Sequence, residues 1–388
     1  MMNGFTGKVC CKGLWDESVP GISFDQEGVS NYARIFERML CDFPKGQKGE
    51  SDWRKMVDWM KSKGKRNQYD CIIGVSGGTD SSYLLHVAAK EGLRPLAVYL
   101  DNGWGSHIVV SNIKKVTSAL NIDLYTYVIN YEEVVEVLRS YILAELPWVD
   151  SPTDLAIKAI LYKTAAKHNV QAILIGHDFR TEGFQPNEWT YSDARQLKYL
   201  VRKFSKIQLK SYPVMPLSDF FFYSFIKGIK LIRPFFYIDY SKKEAKKFLK
   251  STYQWEDYGG HHYENIFTKF IITYWMYEKF GIDKRKITFS AYVLSNEMSR
   301  EEAIARIAEK PYDSEKIKDD IAFICKKLNF TIDEFEKILK SNNRKYFYDY
   351  PSYYPLLQRY QKLFFSAIKY FLPNKPLMFY LMEERKNA

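Results

Sequence analysis

Six consecutive residues, Ser76-Gly77-Gly78-Thr79-Asp80-Ser81, bring together two glycines, three hydroxyls and a carboxylate. The glycines let the backbone turn tightly and approach a ligand. The N–H groups of such a turn, added to those at the start of a helix, form a seat for an anion. Ser76, Thr79 and Ser81 add donors. Asp80 is a hard oxygen ligand of the kind Mg²⁺ accepts. Together these residues suit phosphate binding. Neither GxxxxGK[ST] nor GxGxxG follows the first strand, so the Walker and dinucleotide fingerprints are excluded. The structural alternative is an ordinary Gly-Gly turn with Ser and Asp caps, which does not require the whole constellation.

The surrounding pattern must position that loop. Asp70 to Ser76 is a short apolar run, and Asp80 to Gly92 has helical periodicity. Pro95 to Asp101 reads as a second strand, Ser111 to Leu120 as a helix, and Asp123 to Asn130 as a third strand. Glu132 to Leu146 and Thr153 to His168 read as helices, and Ala172 to Gly176 as a fourth strand. Strands alternating with helices imply βαβ units and a parallel sheet covered on both faces, hence an α/β fold. In such sheets ligands bind beyond the carboxyl ends of the strands. Asp101 and Asn102 end the second strand, where the rest of a phosphate-bearing ligand would lie; the alternative there is a simple Asn-Gly turn. Gly176 ends the fourth strand, and Glu182 follows it. Glu182 could bind Mg²⁺ or take a proton from an incoming nucleophile, or be an exposed loop carboxylate.

Residues 1–45 read as irregular, punctuated by Gly13, Pro20, Gly21 and Gly28. Trp53 to Lys61 is helical. After about Phe184 the alternation fades, and aromatic, basic helical segments run from Ser241 onward. Ser299 and Glu302 offer a helix cap and its capping-box partner. The reading gives three parts: 1–45, 46–240 and a helical region 241–388.

The 388 residues carry 57 Lys+Arg against 46 Asp+Glu, a net charge of +11 that favours anionic partners without choosing among them. Five cysteines, irregularly spaced, argue against a disulfide framework and fit a reducing cytoplasm. The sequence has no signal-peptide pattern and no apolar run long enough to span a membrane. Phe220 to Phe236 comes nearest, but Lys227, Lys230 and Arg233 interrupt it, so it reads as buried or interfacial.

The six-residue loop in its strand–loop–helix setting resembles the signature SGGxDS of the PP-loop ATP pyrophosphatases. That resemblance implies an adenine nucleotide alpha hydrolase-like domain that uses ATP with Mg²⁺ and releases AMP and pyrophosphate. With no CxxC in the chain, nitrogen transfer is favoured over sulfur transfer. Further segments, in order, are Val98 to Trp104, Pro152-Thr153-Asp154, Gly176-His177, Thr181-Glu182-Gly183, Tyr258-Gly259-Gly260-His261-His262, Phe267 to Phe270, Phe280 to Arg285, and Ser299 to Ala303. Together they resemble the N-acetyl sugar amidotransferases of bacterial surface-polysaccharide and nonulosonate pathways.

That family implies a cytoplasmic enzyme that adenylylates the acetamido carbonyl of an N-acetyl sugar, itself nucleotide-activated. Ammonia then displaces AMP and leaves an acetamidino group. A separate glutaminase and a barrel subunit similar to a histidine-pathway synthase would supply ammonia, with free ammonium as the alternative. Lys269, Lys284 and Arg285 are candidates to neutralise phosphate or a sugar carboxylate; the alternative for each is a solvated basic face. His261 and His262 are candidate substrate contacts or ordinary loop histidines. No nucleic acid is expected.

The sequence departs from the family at its start. Members carry a four-cysteine zinc ribbon, whereas here Cys10, Gly13, Ser30 and Ala33 stand at the four positions. One thiolate does not make a structural zinc site, so none is expected and the segment reads as a degenerate ribbon. Two other readings stand beside this one: a tRNA-modifying PP-loop enzyme, which the charge would suit, and a decayed paralogue that only binds nucleotide.

Overall fold

The computed structural model describes residues 4–259, 263–361, 363, 380 and 381. Among them, five strands form one sheet in the order β3-β2-β1-β4-β5, every neighbouring pair parallel. The strands are β1 (Cys71–Gly74), β2 (Pro95–Asp101), β3 (Asp123–Val128), β4 (Ala172–Leu174) and β5 (Lys230–Ile232). Ile73 lies opposite Ala97 on one side and Leu174 on the other. The chain leaves β1 towards β2 and β3, then returns to set β4 on the far side of β1. The carboxyl ends of β1 and β4 therefore flank the crevice that a reversal of strand order opens.

Among the described residues six helices precede β4: α1 (Asn31–Asp42), α2 (Gly46–Gly64), α3 (Thr79–Lys90), α4 (His107–Ala119), α5 (Tyr131–Leu143) and α6 (Ser151–Lys167). Alternation along β1 sorts the core. Cys71 and Ile73 join the cluster that holds Leu84, Leu85 and Ala88 of α3 and Ile113 and Val116 of α4. Ile72 joins Ile160, Leu161 and Ala165 of α6. Each buried Leu, Ile or Val among them contributes about 1.5–3 kcal/mol. This is the doubly covered parallel sheet the sequence implied, with α3 anchored so that its N-terminus meets the end of β1.

Several boundaries differ from the sequence reading, each for a local reason. The third strand stops at Val128 because Asn130 turns to cap α5, its side chain accepting from the N–H of Glu133. Residues 1–45, read as irregular, contain α1. Ser30 caps it, and Tyr32, Ile35, Phe36 and Met39 form its buried stripe. The stretch Phe220–Phe236 supplies β5, whose three residues are too few for a periodicity signal. Ser299 does cap the helix Arg300–Ile307, accepting from Glu302 N–H at 3.1 Å. The full reciprocal box occurs instead at Thr331 and Glu334.

The N-terminal segment folds through two antiparallel bridges, Val9 with Asp16 and Phe24 with Ser30. Cys10 is buried, and its Sγ accepts from Ser30 N–H at 3.2 Å. A Cβ on Gly13 would lie 2.5 Å from the Trp15 ring, so the indole fills the space a ligand side chain there would need. The segment is tied to the helix Arg285–Leu294 by a buried ion pair, Asp16 to Lys286 at 2.6 Å, and by Leu14 N–H to Ser290 Oγ at 2.8 Å. No helix among the described residues is long and apolar enough to cross a membrane.

Candidate active site

At the carboxyl ends of β1, β2 and β4 lies a cavity of about 250 Å³. Its floor is the loop Ser76–Ser81. Gly77 adopts φ +73°, and a Cβ there would lie 2.4 Å from the Val109 carbonyl oxygen. Glycine is therefore required by both conformation and space. Gly176 is required by space alone, since a Cβ would meet the Asp80 carbonyl carbon at 2.8 Å. The small residue lets the end of β4 close onto the start of α3.

The loop's polar groups are held in place before any ligand arrives. Ser76 N–H donates to Ser81 Oγ at 3.1 Å, Gly78 N–H to Ser76 Oγ at 3.3 Å, and Thr79 N–H to the Tyr258 hydroxyl at 3.2 Å. Thr79 is fully buried, and its Oγ1 has no hydrogen-bond partner among the described residues. These bonds fix the loop's backbone, so its N–H groups are preorganised rather than ordered by a ligand.

Asp80 accepts from the Tyr240 hydroxyl at Oδ1, and Lys242 Nζ lies 2.9 Å from Oδ2. Burial works against a charge on Lys242, but the Asp80 carboxylate overrides it and holds the ammonium above its ordinary pKa. Burial, then the charge of Asp80, drives the Tyr240 hydroxyl upward too, so it stays protonated. Sequence reasoning missed both residues. Ser241-Lys242-Lys243-Glu244 reads as the start of a solvated basic helix, and only the fold shows that one of its lysines enters the cavity.

Across the cavity, His177 Nδ1 lies 2.7 Å from Glu182 Oε2, while His177 Nε2 has no hydrogen-bond partner among the described residues. Glu182, His177, Glu264, Asn265 and Thr153 all line the wall. Of these, Glu182 was a site candidate from sequence, and Thr153 and His177 lay in the segments that carry the resemblance.

Lys284 is buried behind that wall. Its ammonium stands 4.2 Å from the centre of the Trp148 ring. Burial lowers its pKa to about 8, against the pull of Glu182, Asp154, Asp150 and Glu264. Asp150 shows the converse. Burial, followed by the charge of Asp154, raises it to about 7, although Thr268 and Thr153 donate to it. Burial thus moves two groups of opposite charge type towards neutral pH, and each feels the other's charge.

The remaining sequence candidates divide. Ser76, Gly78, Asp80, Ser81, Asn102, Gly176 and Glu182 line the cavity, and Gly77 and Thr79 complete its loop. Asp101 does not line it; its Oδ1 accepts from Gly103 N–H at 3.0 Å and shapes the turn. Lys269 points into a different recess, 3.2 Å from Asp320. Arg285 is engaged by Asp283 at 2.6 Å and by the carbonyls of Arg306 and Glu309, which places it at the end of the helix Arg300–Ile307. His261 and His262 lie outside the described residues. No cluster of three or more His, Cys, Asp or Glu suited to a metal ion occurs among the described residues. A phosphate-borne Mg²⁺ needs only one or two carboxylates; Asp80 is the loop's carboxylate in the cavity, with its oxygens engaged by Tyr240 and Lys242.

Comparison with known proteins adds the following. No curated protein matches the chain. Many solved structures overlap it, among them the following three, each loosely. The NH3-dependent NAD synthetase from Campylobacter jejuni has 15% identity and a TM-score of 0.27, covering 40% of this chain and 72% of its own. The NMN synthetase from Francisella tularensis has 15% identity and a TM-score of 0.30, covering 66% and 95%. The U34-tRNA thiolase NcsA from Methanococcus maripaludis, with its [4Fe-4S] cluster, has 14% identity and a TM-score of 0.32, covering 78% and 89%. At such scores the shapes agree too loosely to carry any chemistry across. A family model gives a more specific match: residues 264–363, which begin at Glu264 on the cavity wall and include Lys284, match the LPS biosynthesis protein WbpG-like C-terminal domain.

Proposed function

We propose that this chain is an ATP-dependent amidotransferase that converts the acetamido group of an N-acetyl sugar into an acetamidino group, releasing AMP and pyrophosphate. The observation that carries the reading is the Ser76–Ser81 loop, seated between β1 and α3 on the floor of the cavity at the strands' carboxyl ends. The match of residues 264–363 to an LPS biosynthesis family supports a sugar as the second substrate.

An acetamide carbonyl is a poor electrophile. Its oxygen attacks the α-phosphorus of ATP, pyrophosphate leaves, and the carbonyl carbon now bears AMP as a leaving group. Ammonia adds to that carbon, AMP departs, and the lost proton leaves an amidine. The loop N–H groups and Lys242 would neutralise charge on the leaving pyrophosphate. Mg²⁺, when bound with ATP, would supply further charge neutralisation, and Asp80 is the residue that would hold it. His177, oriented by Glu182, would accept the proton from the attacking nitrogen, and the Lys284 ammonium would add positive charge behind that wall. The nitrogen would come from a glutaminase and a barrel subunit, or from free ammonium.

The test is incubation with Mg-ATP, ammonium and a panel of nucleotide-activated N-acetyl sugars, with AMP separated from ADP and Asp80→Ala as control. AMP formed with one sugar and lost in the variant supports the reading. ADP as product, or AMP independent of any sugar, overturns it.

A further inference from the structure

Tyr258 lies on a strap that grips the phosphate loop from outside the sheet. Trp255 Nε1 donates to the Gly77 carbonyl at 3.1 Å, and Glu256 and Asn112 exchange two hydrogen bonds of 2.8 Å. Lys115 of α4 reaches the Gln254 carbonyl at 2.9 Å. The strap is thus anchored to both the loop and α4. It delivers the Tyr258 hydroxyl 3.2 Å from Thr79 N–H, the first residue of α3. The same oxygen would lie 3.1 Å from a Cβ on Gly78. It therefore sits in the angle of the loop, where the helix N-terminus would bind an anion. Thr79 itself is fully buried, and its Oγ1 has no partner among the described residues. Trp255 meets Tyr258 edge to face at 5.6 Å, which holds the ring in position.

We infer that the Tyr258 hydroxyl lies where a phosphate oxygen would bind and must leave that place when the nucleotide binds. The strap is then a self-occluding latch that lowers affinity for the phosphate tail alone. Two oxygens cannot both lie within hydrogen-bond distance of one N–H along the same line. Burial, then the charge of Glu264, keeps the phenol protonated, so it blocks as a neutral hydroxyl whose displacement costs one neutral hydrogen bond.

The inference rests on the ATP-site reading, and its test separates the two. Binding of inorganic pyrophosphate, Mg-ATP and adenosine is measured by calorimetry on the full chain and on Tyr258→Phe, which keeps the ring and its Trp255 contact. The latch requires the variant to bind pyrophosphate and Mg-ATP about 3–10-fold more tightly, the yield of one competing hydrogen bond, with adenosine affinity unchanged. Equal or weaker pyrophosphate binding by the variant overturns the latch while leaving the ATP site standing. Tighter adenosine binding also overturns it, because a loosened cavity would then be the cause. If neither protein binds ATP or pyrophosphate, the ATP-site reading and the latch fall together.

Discussion

Lys284 should make the protein less stable than it need be, and the size of that effect can be worked out. The side chain is buried against Trp148, and burial moves its pKa from 10.5 to about 8. At about 1.4 kcal/mol for each factor of ten, holding it charged at pH 7 opposes folding by about 3 kcal/mol. The contact with the Trp148 face returns about 1 kcal/mol. Lys284→Met, of similar length, should therefore stabilise the fold by about 2 kcal/mol at pH 7 while abolishing AMP formation. The pH dependence carries a sign. The folded wild type releases this proton near pH 8, whereas the unfolded chain keeps it to about pH 10.5. In that window the unfolded state binds more protons, so wild-type stability rises with pH. The variant lacks this gain, and its advantage should fade between pH 8 and 10.5. Urea unfolding of both proteins at pH 7 and pH 9.5 measures it. A variant that is less stable at pH 7, or an advantage that does not change with pH, would refute the reasoning.

Asp150 gives the opposite dependence. Its pKa is raised from 3.8 to about 7, so the protonated form is favoured on folding and its contribution is lost as pH rises through 7. Thermal melts of Asp150→Asn should gain on wild type between pH 5 and pH 8; a constant difference would count against the assignment. Lys286→Met should cost about 3–5 kcal/mol in urea unfolding, because it leaves Asp16 charged and fully buried. Adding Asp16→Asn should recover much of that loss, and failure to recover it would show that the pair is not what anchors the N-terminal segment.

The part of the site that was legible in sequence is the part made by neighbours along the chain. Ser76–Ser81 could be read because its residues are consecutive and follow a strand. The alternating strands and helices that carry it are equally local. What could not be read depends on which way a helix faces. Successive residues on a helix point about 100° apart. Thr268 reaches Asp150 while Lys269 turns away to Asp320. Lys284 sits against Trp148 near the cavity, whereas its neighbour Arg285 faces Asp283 and a helix end. From sequence the two lysines and the arginine looked alike. Lys242 and Tyr240 reach Asp80 across some 160 residues, a distance no local pattern encodes. β5 escaped notice because Lys230–Ile232 is short and set among aromatic residues.

The central claim is that the acetamido oxygen attacks ATP. The most direct measurement uses a turned-over N-acetyl sugar labelled with oxygen-18 at that carbonyl, followed by mass spectrometry of the products. The account predicts that the label appears in the phosphate of AMP, with pyrophosphate and the amidine sugar unlabelled. Label retained in the sugar or found in pyrophosphate would contradict it.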